Sequence, residues 1–429
     1  MFRKIKSINE SKFVKNVIVV MSGTAMAQII TFISMPLITR LYGPESIGIL
    51  GAFTAIVSIL APMAALTYPI AIVLPKSNSK ARAIAKLAAS ISLVVGGIMT
   101  ILLLFVSEPI ISLFSLNSIS SFLYLLPIIV ILTGFSQVMD QWLIRTKYFK
   151  VKAKTTIFQA IFMNGSKIGM GFIYPVSASL VIIQTLGVFF RAFLMFFLSD
   201  KSIVNKDEVH TFKDIKKVAR DNIDFPKYRA PQVLINAFSQ GFPIILFATL
   251  FSPAIAGFYS LGRQALNTPI QLIGNAVQDV LYPKINELAN KKKKITPIIL
   301  KAVLGLFALG IIPFSIVIFW GPSIFSFVFG KEWITAGEYA RWIGLVALFM
   351  LITRPVIVSI PVLNIQRNFL FVEIVGTIAK IGAILVGVYL LEEAIYAVIL
   401  FSIASALMYI YLTVHTLLVS SRFDKLNNP

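Results

Sequence analysis

Twelve stretches of this chain are apolar for about twenty residues, the length a helix needs to cross a bilayer. They fall near 14–38, 47–73, 84–106, 119–142, 155–174 and 178–198, and again near 230–250, 255–281, 297–319, 338–361, 369–390 and 395–418. Backbone N–H and C=O groups find no partner in hydrocarbon, so such a series can only form a bundle of spanning helices. Composition agrees, with 57% hydrophobic and 13% charged residues, against about 25% charged in soluble domains. The expected fold is an all-α polytopic membrane protein. Ala25-Met26-Ala27 after a basic N-terminus has the look of a signal-peptidase site. The apolar run continues to Ile38, which predicts a retained helix instead.

The net charge of +21 invites a nucleic-acid reading, and the placement of the charges argues against it. Lys and Arg gather in the N-terminus (Arg3, Lys4, Lys6, Lys12, Lys15), at 76–86, at 145–154, at 201–229, at 284–301, at Arg367 and in the tail. Those segments alternate with the spans so that all lie on one side. Only Arg40, Lys331 and Arg341 fall opposite. The positive-inside rule then puts both termini in the cytoplasm. The basic residues anchor the topology beside anionic lipid, and no nucleic acid is expected as a partner. The lysine run 291–294 has the same reading.

The chain also repeats itself. Pro253 and Gly257 of Ser252-Pro253-Ala254-Ile255-Ala256-Gly257 follow Pro44 and Gly48 of Gly43-Pro44-Glu45-Ser46-Ile47-Gly48 by 209 positions. Gln232, Asn236 and Ser239 echo Thr24, Gln28 and Thr31, and Lys380-Ile381-Gly382 echoes Lys167-Ile168-Gly169. Six spans per half make the repeats parallel, related by an axis along the membrane normal, as in secondary carriers. The expected organisation is a lobe over 1–198, a cytoplasmic linker over 199–229 with a short amphipathic helix near Phe212 to Ala219, and a second lobe over 230–429. External loops are short, the largest expected at 320–338.

Ionisable groups inside spans cost roughly 2.5–3.5 kcal/mol each at mid-bilayer, so they usually face protein or water. Five cations lie within spans: Lys167, Arg191, Arg263, Arg354 and Lys380. The nearest acids are Asp140, Asp279 and Glu373. This cationic balance points to an anionic ligand. On the eighth span, at about 100° per residue, Arg263, Gln264, Asn267, Gln271, Asn275 and Gln278 fall within roughly 120° of one another. A continuous polar stripe lines either a wet cavity or a buried polar interface between helices. Gln232, Asn236, Ser239 and Gln240 make a similar stripe on span seven. Amides donate and accept, which suits hydroxyl-rich ligands, and Arg263 and Arg354 offer forked donors to phosphate. Arg191 and Lys380 have a second reading as snorkelling or acid-paired cations. Glu373, Thr377 and Lys380 share a helix face, with Glu373 and Lys380 too far apart for a direct pair. Pro36, Pro62, Pro69, Pro243, Pro269, Pro313 and Pro355 are expected to break or bend their spans.

Several chemistries are missing. There is no G-x-x-x-x-G-K-[ST] loop for ATP and no nucleophile–base or paired-carboxylate constellation. With no cysteine and only His210 and His415, neither a metal site nor a cofactor is expected. Any driving force comes from a substrate or ion gradient, with Asp140, Asp279 and Glu373 the candidate H+ or Na+ sites. The chain is expected not to be an enzyme.

The segment Pro36-Leu37-Ile38-Thr39-Arg40-Leu41-Tyr42-Gly43-Pro44-Glu45 through Gly48 resembles the end of the first span in Wzx-type oligosaccharide flippases. These belong to the multidrug/oligosaccharidyl-lipid/polysaccharide (MOP) exporter superfamily. Phe329-Gly330-Lys331-Glu332-Trp333, with Ala336-Gly337, is similar to a second family segment. The resemblance covers nearly the whole chain. It implies twelve helices in two six-helix lobes around a central cavity, in a bacterial cytoplasmic membrane. It implies transfer of undecaprenyl-pyrophosphate-linked oligosaccharide from the inner to the outer leaflet, for polysaccharide, O-antigen or capsule synthesis. Membrane lipids and polysaccharide polymerase machinery are the implied partners. Arg263, Arg354, Lys167, Arg191 and Lys380 occupy positions that could form that cavity, none of them matching a fixed family motif, and the polar stripes add Asn267, Gln271, Gln232 and Asn236 as substrate-binding candidates.

Three alternatives fit the sequence less well. A drug/ion antiporter of the related MATE branch usually holds an acid in span one, and this span has none. A major-facilitator carrier usually has a Gly…Asp-Arg signature between spans two and three, where this chain reads Leu74-Pro75-Lys76-Ser77-Asn78-Ser79-Lys80. An integral-membrane glycosyltransferase or polymerase would need catalytic acids and a sizeable external loop.

Overall fold

The computed structural model describes the backbone of residues 2–113, 119–199, 203 and 211–427, and side chains from Val19 onward except 106, 109–118 and 427. Lys201, Lys206 and His210, and the side chains of Arg3, Lys4, Lys6, Lys12 and Lys15, lie outside the described residues. Every described element is a helix: α1 (Phe2–Leu41), α2 (Pro44–Leu60), α3 (Asn78–Leu113), α4 (Ser120–Leu123), α5 (Leu126–Arg145), α6 (Phe149–Ile173), α7 (Ser177–Leu198), α8 (Phe212–Asp221), α9 (Ala230–Leu250), α10 (Pro253–Asn290), α11 (Thr296–Phe329), α12 (Ile334–Ile352), α13 (Arg354–Leu363), α14 (Gln366–Tyr389) and α15 (Ala394–Asn427), with short 3-10 and π turns between some of them.

Each of the twelve apolar stretches contains a long α-helix, with the second and tenth interrupted. Among the described residues, ten segments are both long and apolar enough to cross a membrane. The two that fall short are α6 and α10. Both are long enough, and both are too polar: α6 carries Asn164 and Lys167, and α10 carries the stripe from Arg263 to Gln278. At 1.5 Å per residue α10 is about 57 Å long, well beyond a hydrocarbon core of about 30 Å. The chain is a multi-pass membrane protein.

Three sequence expectations need correction. The second span stops at Leu60, and 61–73 runs through two 3-10 turns, Ala61–Met63 and Tyr68–Val73. Pro62 and Pro69 remove donors there, and Leu66 and Thr67 take positive φ values of 46° and 58°. The tenth span is broken at Thr353, directly before the Arg354-Pro355 start of α13. The long external loop at 320–338 is absent, because α11 bends at Trp320 and continues to Phe329, and α12 begins at Ile334. Gly330 makes that turn with φ 122°, a conformation closed to other residues except at the cost of strain. Trp333 beside it is wholly buried and meets Phe258 edge-on at 5.9 Å. Pro36, Pro243, Pro269 and Pro313 stay inside continuous helices. Neighbouring groups in a bundle can absorb a missing donor.

Contacts group the chain into two compact units, Met1–Tyr42 with Ile49–Ile245, and Gly43–Gly48 with Leu246–Pro429. In the first, α1 packs on α6, α6 on α7, α7 on α5, and α5 on α3. The amphipathic helix expected near Phe212 is α8, started by a capping box between Thr211 and Asp214. Its apolar face does not wait for a membrane. Ile215, Val218 and Ala219 pack on the cluster of Tyr68, Ile84 and Trp142, and the Tyr68 hydroxyl donates to the Ala219 carbonyl at 3.1 Å. Arg145, at the end of α5, holds the adjoining turn by donating to the carbonyls of Ile72 (3.1 Å) and Pro75 (2.7 Å) and to Asn78 Oδ1 (3.0 Å).

The second unit is built on α12, which packs against α10, α11 and α15, while α14 packs on α15 and α13 on α10. The family-like segment before α2 and its repeat before α10 are both helix starts, with Pro44 and Pro253 in the first turn. The two copies also meet. A Cβ on Gly48 would overlap the carbonyl oxygen of Pro253, and a Cβ on Gly257 would overlap that of Pro44.

The start of α11 is closed from a distant helix. Buried Asp424 on α15 accepts from Ile295 N at 2.8 Å and Thr296 N at 2.9 Å, and Thr296 Oγ1 donates to Ser420 Oγ at 3.0 Å. Asp424→Ala would leave buried donors unpaired. It is expected to destabilise the protein by about 1–3 kcal/mol, read as a lower melting temperature in detergent and faster amide exchange at Ile295 and Thr296. Parental exchange at those two amides would remove this role. At the far end of α10, Glu287 accepts from Lys291 and Lys284. These partners, Lys291 foremost, hold its carboxyl below the usual range. The first residue of the lysine run is thus a partner of an exposed local pair.

Candidate functional site

The five span cations separate into two groups, one in each unit. In the first unit, Arg191 on α7 donates to Asp140 Oδ2 on α5 at 2.7 Å, and Lys152 on α6 lies 3.4 Å from Asp140 Oδ1. Arg191 and Asp140, candidates for substrate and ion binding respectively, therefore neutralise one another. Lys167 is half-buried and donates to Gln184 Oε1 on α7 at 3.1 Å, while its carbonyl accepts from Tyr42. Gln232 accepts from Arg229 one turn before it at 2.8 Å, and Asn236 is exposed on α9.

The second unit gathers the rest. The break at Thr353 is fixed by the Thr353 hydroxyl, which donates to the Phe349 carbonyl at 2.7 Å and lies 3.0 Å from the Thr413 hydroxyl of α15. That pin sets the start of α13, and with it Arg354. The Arg354 side chain lies flat on α10 where Gly274 has no side chain: a Cβ there would stand 3.0 Å from both Cδ and Nε. Arg354 Nε is buried and has no hydrogen-bond partner in the protein. On α14 the buried stripe is Gly376, Thr377, Lys380, Ile384 and Gly387, and Glu373 stands one turn before it on the same face. Lys380 is 6% exposed, and its Nζ sits 6.0 Å above the ring of Tyr409 on α15. Arg354, Arg263 and Glu373 are all charge neighbours of Tyr409. Arg263 is also a charge neighbour of Lys380 and of buried Tyr259.

Arg263, Arg354 and Lys380 thus converge from α10, α13 and α14 around Tyr409, with Glu373 beside them. Next to Arg263 the α10 stripe stays open. Asn267 is half-buried, and Gln264, Gln271, Asn275 and Gln278 are exposed. Amides left facing hydrocarbon would be costly, so this face suits contact with water or a polar ligand. Asp279 lies exposed at the foot of the same helix. Two members escaped the sequence reading. Gly274 falls within the polar stripe and is detectable as the gap opposite an arginine. Tyr409 lies in a span of mixed aromatics and carries no signal of its own.

A family profile described as polysaccharide biosynthesis protein matches residues 37–338. The chain belongs to that family. The matched region of the polysaccharide biosynthesis family contains Pro44–Gly48, the whole of α10 and the Phe329–Trp333 turn, whereas Arg354, Glu373, Lys380 and Tyr409 lie beyond it. Among curated proteins no sequence matches. Solved structures do resemble it in fold. An inward-facing multidrug resistance MATE family transporter of the MOP superfamily aligns with TM-score 0.73 and 14% identity, over 95% of this chain and 99% of that one. The lipid II flippase MurJ, in an inward closed conformation, aligns with TM-score 0.75 and 15% identity, over 96% and 91%. A MOP superfamily transporter from Pyrococcus furiosus, described by the reversed polarity of its binding pocket, aligns with TM-score 0.56 and 13% identity, over 95% and 96%. At these identities the likeness establishes a MATE- and MurJ-like fold.

Proposed function

We propose that the protein is a Wzx-type flippase. It moves polyprenyl-pyrophosphate-linked oligosaccharide, of the undecaprenyl kind, from the cytoplasmic to the outer leaflet of a bacterial cytoplasmic membrane, by alternating access. The observation that carries this is the convergence of Arg263, Arg354 and Lys380 beside an open amide stripe on a membrane helix. Guanidinium forks and an ammonium suit a diphosphate, and the amides of Asn267 and Gln271 suit sugar hydroxyls. Membership of the polysaccharide biosynthesis family supports a saccharide cargo, and the fold neighbours include both a flippase and drug carriers. Lys167, Gln232 and Asn236 are secondary candidates from the first unit. Arg191 and Asp140 rank below them because each already holds the other. Both termini are cytoplasmic in this reading, and polymerase machinery receives the product. Any H+ or Na+ coupling would fall to Glu373 or Asp279.

The test is reconstitution in proteoliposomes with a lipid-pyrophosphate-linked oligosaccharide and, in parallel, a cationic dye. Transfer of the lipid-linked sugar without dye uptake is the expected result. Dye uptake without lipid transfer would replace the proposal with a drug antiporter.

A further inference from the structure

We propose that Glu373 is the resident counter-ion of the cation cluster, and that a pyrophosphate group binds there by taking over that role from its carboxylate. The inference rests on the proposed function and adds a role for an acid within the site itself.

The geometry comes from one helix face. Glu373, Thr377 and Lys380 occupy a single stripe of α14, the stripe that continues through Ile384 and Gly387 and is buried in the unit. Thr377 and Lys380 are 7% and 6% exposed, so solvent does little to neutralise the ammonium. The Lys380 Nζ turns to the Tyr409 ring, an attraction of order 1 kcal/mol. That is small against the cost of holding several cations together in a medium of low dielectric. Glu373 is the acid among the charge neighbours of both Lys380 and Tyr409. With the site empty its carboxylate offsets the mutual repulsion of Arg263, Arg354 and Lys380. A diphosphate brings two negative charges to the same cations. It does their neutralising better than one carboxylate, and it repels that carboxylate.

The consequence concerns release. A carrier must let its cargo go, and residence time is set mainly by the off-rate. Three cations with no internal rival would retain a diphosphate. Glu373 supplies the rival, so affinity is lowered and the headgroup is handed on when the carboxylate returns. This predicts an unusual sign: deleting an acid tightens substrate binding and slows transport.

The experiment uses full-length protein in nanodiscs of zwitterionic lipid, a fluorescent polyprenyl pyrophosphate as probe and inorganic pyrophosphate as competitor. Glu373→Gln is expected to bind the probe at least tenfold more tightly, since a unit charge even about 12 Å away is worth about that factor at an effective dielectric of about 20. Its release and flipping should slow. Inorganic pyrophosphate should gain affinity by a similar factor, which separates headgroup recognition from partition of the tail. Glu373→Asp should stay near the parent. Damage to packing would weaken binding, so tighter binding is a readout that a merely structural role does not give. If the parent binds the probe and Glu373→Gln binds it equally or less well, the counter-ion role is overturned while the flippase reading stands. A gain for the probe without a gain for inorganic pyrophosphate also overturns it. If the parent binds no pyrophosphate at all, the flippase reading fails and takes this inference with it.

Discussion

Gly48→Ala is expected to destabilise the protein by about 3 kcal/mol or more, at the upper end of what overpacking costs. The new methyl would sit on the Pro253 carbonyl and against the backbone N of Gly257. Backbone atoms at a helix start cannot swing aside as a side chain can, so α2 and α10 must part. Gly257→Ala is expected to do the same through Pro44 and Gly48. Gly43→Ala, five residues before Gly48, meets nothing within 4 Å and serves as the control. Thermal unfolding of purified protein in detergent reads all three. The double alanine variant should cost less than the sum of the singles, because the first substitution already separates the helices. Parental stability of both single variants would mean that this contact does not hold the helix starts together.

Loss of transport is the second large effect. Arg263→Ala and Arg354→Ala are each expected to slow flipping of a lipid-pyrophosphate-linked oligosaccharide by about ten- to a hundredfold. This is the scale of a charge-assisted hydrogen bond, about 1.5–3 kcal/mol. Arg354→Lys should recover part of that loss at most, because a point charge cannot reproduce a planar fork whose Nε is already buried and unpaired. Gly274→Ala acts on the same group indirectly, by making the Arg354 side chain give by a few tenths of an ångström, and should raise the substrate concentration needed more than it lowers the maximal rate. Melting temperatures near the parental value are the companion readout. Variants of Arg263 and Arg354 that fold and flip at the parental rate would remove this cluster from the binding site.

The architecture was readable because its signals are local and long. Apolar runs of about twenty residues need no tertiary context, and ten of the twelve run as expected while the second and tenth are interrupted. Thr211 and Asp214 likewise specify the start of α8 within four residues. Errors came where prolines act in combination. Pro36 and Pro269 are tolerated inside helices, whereas Pro62 and Pro69 accompany positive-φ residues and end one. Groups on surrounding helices can absorb a missing donor, and sequence does not carry those surroundings. The site was legible by half. The α10 stripe follows from periodicity and appears as an open polar face. The pairing of Arg191 with Asp140 and the approach of Lys380 to Tyr409 join different helices, and no spacing rule reaches across them.

The meeting of Pro44–Gly48 with Pro253–Gly257 has one further consequence. Residue i touches the copy of j while j touches the copy of i, which is the pattern of an isologous, two-fold contact. A chain of half this length would make the same contact by pairing with itself, with both partners forced to carry identical side chains. Joining the halves in one polypeptide lifted that constraint. Position 54 is threonine where its counterpart at 263 is arginine, a difference that a self-paired half could not carry.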